Sequence, residues 1–185
     1  MVVSIKEHLI SRGLNPQHSS VRLDEENCIA TFLLWNISGN LVGYQQYNPF
    51  GTKQLRNDEK HRNSLKYFTF SGDEGDLIKC SKKRLAVWGL ESTSCHDTAI
   101  YLTEGVFDAA KLHALGLPAI AVLANDPKHL IPWLTALNRT VIAVCDNDAP
   151  GARLGSIADV SIIVPEPYHD LGDMPIDAVS ALLSS

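Results

Sequence analysis

Three carboxylates stand at the ends of two apolar runs: Glu104 in Tyr101-Leu102-Thr103-Glu104-Gly105, and Asp146 and Asp148 in Val144-Cys145-Asp146-Asn147-Asp148. Each run leads into a stretch patterned as a helix. In an open parallel α/β sheet, ligands occupy the crevice beyond the carboxyl ends of the strands, so acids placed there face a site and not the core. Hard oxygen ligands converging in such a crevice suit Mg²⁺, or Mn²⁺ in its place, and metals of this kind serve phosphate chemistry. Asp146 and Asp148 flank a single residue, and in an extended segment positions i and i+2 point to one side. They are the expected direct ligands. Glu104 would complete the shell or act as a general base. Asp108, one turn into the helix after Glu104, is close enough to hold the surroundings of Glu104 or a metal-bound water, and Asp170 and Asp173 could bind a second metal. A plainer reading of Asp148 and of Asp173 is that each caps a helix.

The elements that must position these acids follow from period and punctuation. From residue 98 onward, short Val/Ile/Ala-rich runs (99–102, 119–123, 141–144, 160–164) alternate with helical stretches (106–115, 127–137, 149–158, 174–183). Asp126 and Pro127 supply an N-cap and a first helical position for the second of these helices. Near-continuous apolar strands belong to a parallel sheet covered on both faces. The expected fold class is α/β, with about four parallel strands in residues 98–185 behind a small α+β subdomain in residues 1–97. In that first part, 5–12 reads as a short helix capped by Ser4 and ended by Gly13, and 27–47 as a β-hairpin turning at Ser38-Gly39-Asn40. Residues 48–64 read as an exposed loop, 66–70 as a strand and 71–76 as a turn.

Bulk properties bound the function. No apolar run nears the roughly 20 residues that span a bilayer, and the N-terminus lacks the basic-then-apolar order of a signal peptide, so a cytoplasmic protein without membrane contact is expected. Cys28, Cys80, Cys95 and Cys145 form no CxxC pair, which argues against a zinc ribbon. The net charge of −5 is unevenly spread. Residues 1–98 hold 12 Lys/Arg against 11 Asp/Glu, and residues 99–185 hold 4 against 10. Acidity concentrates around the candidate metal site. Basic residues cluster at Lys53, Arg56, Lys60, Arg62 and Lys66, and again at Lys82, Lys83 and Arg84, leaving a nucleic-acid partner open despite the overall sign.

Glu104-Gly105 with Asp108, then Asp146-Asn147-Asp148 with Pro150-Gly151, then His169-Asp170-Leu171-Gly172-Asp173, together resemble the Toprim domain. Upstream, Gly39-Asn40-Leu41-Val42-Gly43-Tyr44, Leu65-Lys66-Tyr67 and Leu85-Ala86-Val87-Trp88-Gly89-Leu90 are similar, in the same order, to segments of the catalytic core of DnaG-like phage or plasmid primases. The resemblance implies a Mg²⁺-dependent RNA polymerase of the primase type, making short primers on single-stranded DNA from nucleoside triphosphates during replication, in the host cytoplasm if phage-encoded. It implies catalytic roles for Glu104, Asp146 and Asp148, and nucleic-acid or nucleotide contacts for Lys66, Lys53, Arg56, Lys60, Arg62, Lys82 and Lys83. Where the family commonly carries Arg shortly after its Gly-Phe pair, this chain has Gln45-Gln46-Tyr47, and no Pro precedes Lys66. With no zinc module in the sequence, template choice and recruitment are expected from elsewhere, such as a replicative helicase or another replication protein. The alternatives are a stand-alone Toprim module that binds nucleic acid or protein without polymerising, and a Toprim nuclease.

Overall fold

An antiparallel meander and a parallel α/β sheet make up the computed structural model, which describes residues 4–36, 38–53, 62–71, 86–124 and 127–184. Helix α1 (Ile5–Ser11) opens on a capping box: Ser4 Oγ accepts the Glu7 N–H and the Glu7 carboxylate accepts the Ser4 N–H. Two donors that a first turn leaves open are thereby satisfied. Strands β1 (Val21–Asp24), β2 (Ile29–Trp35), β3 (Leu41–Tyr47) and β4 (Tyr67–Ser71) follow in that spatial order. The expected hairpin is β2 with β3, paired from Ala30 opposite Tyr47 to Trp35 opposite Leu41. Strand β1 is additional, because Val21-Arg22-Leu23-Asp24 is too short to display a period. The expected exposed loop at 48–64 is stitched at its base: Lys66 N–H donates to the Thr52 carbonyl at 2.7 Å and Thr52 N–H to that of Ser64 at 2.9 Å. Residues 54–61 lie outside the described part, as does most of the turn expected at 71–76.

The second sheet comprises β5 (Ala99–Thr103), β6 (Ala119–Ala121), β7 (Thr140–Cys145) and β8 (Val160–Ile163), all parallel, in the order β6-β5-β7-β8. Helices α2 (Val106–Ala114), α3 (Ile131–Leu137), α4 (Ala149–Gly155) and α5 (Ile176–Leu183) alternate with the strands and flank the sheet. This is the α/β class read from the pattern. Two helices start later than expected, both at prolines. Residues Pro127–Leu130 form a 3₁₀ turn before α3, because Pro132 has no N–H to give an earlier carbonyl and its ring would crowd that carbonyl. Asp126, the expected cap, lies outside the described residues. Met174 stays extended because it precedes Pro175, so α5 begins at Ile176 and Asp173 is not its cap.

The segment Val87-Trp88 sews the two sheets together, Val87 bridging to Trp35 of β2 and Trp88 to Ala121 of β6. One core cluster runs through both sheets. At its centre Phe32, fully buried, faces the rings of Tyr47, Trp88 and Phe107 at centroid distances of 6.5, 6.2 and 6.0 Å. Phe32→Ala is expected to cost about 3–5 kcal/mol in urea unfolding, the usual range for a buried ring truncated to a methyl. Because both sheets share this ring, their signals should be lost in one transition. Two separated transitions would show that the halves hold independently.

Candidate active site

From β5 the chain passes through α2 to β6 on one side, whereas β7 lies on the other side of β5. Such a reversal opens a crevice at the strand carboxyl ends. Glu104 and Asp146 are the first residues beyond the ends of β5 and β7. A cavity of about 280 Å³ is lined there by Glu104, Asp108, Asp146 and Asp170 together with Arg12, Gln45 and Tyr67. Of the six acids proposed from sequence, these four share the cavity, while Asp148 and Asp173 are not among its lining residues.

Each acid is held by an identifiable local device. Asp108 is buried and uses both oxygens: Oδ2 accepts the Gly105 N–H at 3.0 Å and Oδ1 the Gly172 N–H at 2.7 Å. It thus ties the turn after Glu104 to the turn after Asp170. Gly105 makes this possible, since a Cβ there would stand 2.8 Å from Asp108 Oδ2. Asp170 caps the 3₁₀ turn Leu171–Asp173, its Oδ1 accepting the Asp173 N–H at 2.8 Å. Asp146 is packed under the first turn of α4, where a Cβ on Gly151 would lie 2.0 Å from the Asp146 carbonyl oxygen. The requirement for glycine in Pro150-Gly151 is therefore steric.

Asp148 departs from the expectation that it points with Asp146. Its N–H folds back onto the Asp146 carbonyl at 2.8 Å, which breaks the extended run, and its exposed side chain caps α4 by accepting the Gly151 N–H at 2.8 Å. Asp173 turns to Arg12, with Oδ1 3.5 Å from Nη2.

The acids raise one another's proton affinity. Burial, then the charges of Asp146 and Asp148, push Glu104 up to about 7. Burial, then Asp170 and Asp148, push Asp146 up to about 6. Asp108 rises to about 8, chiefly through burial and against the two N–H donors that favour its charged form. Glu104 Oε1 is buried without a hydrogen-bond partner among the described residues. Among those residues no three His, Cys, Asp or Glu groups stand together as a metal cluster. The donor set nevertheless fits a hard divalent cation: oxygen ligands only, crowded like charges, and one buried carboxylate oxygen with nothing to accept from.

Arg12 is the site residue that sequence reasoning missed. Its guanidinium lies 4.6 Å from the Phe107 ring centroid, and its buried Nε has no hydrogen-bond partner among the described residues. Nothing local marks it, because it sits at the end of α1 and reaches the acids only through the fold. Gln45 lines the cavity and donates to Thr69 Oγ1 at 2.9 Å. Lys66 stands over the ring of Tyr67 at 6.0 Å, beside the cavity that Tyr67 lines. Lys53 is exposed in the turn before 54–61 and is not a lining residue. Arg56, Lys60, Lys82 and Lys83 lie outside the described residues, as does the side chain of Arg62. Cys145 is buried, as a strand hydrophobe should be, and burial raises its thiol to about 11.

No family model matches the chain. No curated protein matches it in sequence. Solved structures do. The primase of Aquifex aeolicus (zinc-binding and RNA polymerase domains) superposes with a TM-score of 0.64 at 15% identity, covering 97% of this chain and 55% of that one. A DnaG primase catalytic domain bound to single-stranded DNA gives 0.58 at 17%, covering 97% and 58%. The fold is that of a DnaG-type primase catalytic core. The primase fragment of the bacteriophage T7 primase-helicase shares it, at 0.56 and 14%, covering 92% of this chain and 75% of that one. The chain spans little more than half the length of the first two primase chains.

The raised carboxylates give stability a definite sign with pH. Each binds its proton more tightly folded than unfolded, so the stabilisation is complete below the ordinary carboxylate range and is lost as pH climbs through the folded values. Without divalent cations, melting temperature should fall from about pH 5 to about pH 8, the span that ends at the Asp108 value. Added Mn²⁺ should raise it more at the higher pH, because a cation competes with the protons. Glu104→Gln should flatten the pH slope and blunt the Mn²⁺ response. Differential scanning calorimetry across that range checks both, and an unchanged slope in the variant would contradict the assignment.

Proposed function

We propose that this chain is the catalytic core of a primase-type nucleotidyltransferase, which joins ribonucleoside triphosphates into short RNA primers on single-stranded DNA with Mg²⁺ or Mn²⁺, each 3′ hydroxyl bonding to an α-phosphate as pyrophosphate leaves. The observation that carries this reading is the meeting of Glu104, Asp146 and Asp170 in one cavity that Arg12 also lines. Acids for a cation and a guanidinium for a phosphate are what phosphoryl chemistry requires. The likeness in fold to a primase domain bound to single-stranded DNA supports the choice of template.

A bound divalent cation would polarise the phosphate and favour the deprotonated 3′ hydroxyl. Glu104 and Asp146 would hold it, and Asp170 would serve a second ion. Alternatively, Glu104 would stay outside the shell and act as the general base that takes the hydroxyl proton. Arg12 would neutralise the incoming triphosphate across the cavity that it lines. Tyr67 offers a ring on which a base can stack, with the Lys66 ammonium above it. Asp148 keeps one oxygen beyond its cap and would act from outside the direct ligand set, together with Asp173. Lys53, Arg56, Lys60, Arg62, Lys82 and Lys83 would hold the template backbone through salt-sensitive contacts.

In this reading residues 1–97 form the template side and residues 98–185 the Toprim unit. A replicative helicase or another replication protein would recruit them to the template in the cytoplasm, the host's if a phage encodes the chain. Among the described residues no helix is long and apolar enough to cross a membrane.

Purified protein with Mn²⁺ or Mg²⁺, single-stranded DNA and labelled ribonucleoside triphosphates should yield short RNA, and Asp146→Ala should lower the yield by about a hundredfold or more. Cleavage of the DNA without RNA synthesis would move the assignment to a nuclease. Metal-independent binding with neither product would leave a nucleic-acid-binding module.

A further inference from the structure

Lys111 lies in α2 one turn after Asp108 and is only 9% exposed. Its Nζ donates to the Met174 carbonyl at 2.9 Å. Met174 closes the 3₁₀ turn whose first residue is capped by Asp170. The same turn gives its Gly172 N–H to Asp108. Residues three apart on a helix share a face, so α2 grips the turn twice, at an amide and at a carbonyl. The stem of Lys111 also passes under Gly13: a Cβ there would lie 3.2 Å from Cδ and Cε. Gly13, at φ +77°, is next in sequence to Arg12, and Arg12 pairs with Asp173 of that same turn. Lys111 therefore touches both supports of the cavity wall, the Arg12-Gly13 corner and the acidic turn.

A buried ammonium is costly, and an apolar side chain of similar length would fill the space. Burial, then Arg12, lowers the proton affinity of Lys111, and Asp173 and Asp170 act against that. Asp170 in turn raises the proton affinity of Asp108 and Asp146.

We propose that Lys111 is a positioning residue, which holds Asp170 and Arg12 in place around the cavity by clamping the 170–174 turn against α2 and Gly13. The inference rests on reading the acids as a divalent-cation site. Lys111→Met keeps the stem and removes the donor and the charge. In the full chain it should melt within a few degrees of wild type while binding Mn²⁺, followed by the electron paramagnetic resonance of the free ion, about tenfold more weakly, as loss of an outer-shell support does. Without metal, the Asp170 carboxyl ¹³C and Gly172 amide resonances should shift. Wild-type Mn²⁺ affinity with both resonances unmoved would overturn the proposal. If wild type binds no Mn²⁺, or Glu104→Gln binds it equally, the cation reading fails separately, and the metal-free resonances decide the role of Lys111. Should Lys111→Met not fold, Lys111→Leu, which also lacks the donor and the charge, serves in the same comparison with the same outcomes.

Discussion

The carboxylate of Asp108 lies in the interior between two backbone amides, and the geometry of the cavity depends on that placement. A carboxyl group in such surroundings is costly unless it is hydrogen-bonded. The Gly105 and Gly172 N–H groups meet that need. One of them follows Glu104 and the other follows Asp170, so the bonds that make the burial tolerable also fix two acids relative to each other. The cap on α2 and the clamp on the acidic turn are one side chain.

Around that clamp, the acids are gathered at a cost. Glu104, Asp108 and Asp146 all hold protons more tightly than ordinary carboxylates, through burial first and mutual repulsion second. Positive charge relieves part of this: Arg12 meets Asp173 at the periphery, and Arg153 draws the proton affinity of Glu104 back down. Titratable groups held against their solvation preference, in a crevice at a strand-order reversal, mark a functional site more often than a structural one. The rest of the fold absorbs the cost through a core shared by both sheets, with Phe32, Tyr47, Trp88 and Phe107 at its centre.

Much of this was legible in the residues. Alternating apolar runs and helical stretches placed Glu104 and Asp146 at strand ends, because buried parallel strands have few ways to be written in sequence. Ser4 and Gly13 bounded α1 for similarly local reasons. Prolines misplaced two helix starts, since their effect falls on the residues before them. The extended run read for Asp146 and Asp148 is broken for another reason, as the backbone turns between them and Asp148 caps α4, though its charge still acts on Glu104 and Asp146. Arg12 and Lys111 were invisible: the first reaches the cavity across the fold, and the second reads as an ordinary surface residue of an amphipathic helix. Long-range placement of this sort leaves no local pattern.

The central claim is that the acids at the ends of β5 and β7 form a divalent-cation site. Anomalous diffraction from crystals soaked in Mn²⁺ tests it most directly. The account predicts a peak within ligand distance, about 2.0–2.4 Å, of Glu104 and Asp146 carboxylate oxygens, lost in Glu104→Gln. A cavity without manganese at saturating concentration, or with manganese bound only at surface carboxylates away from it, would contradict the account.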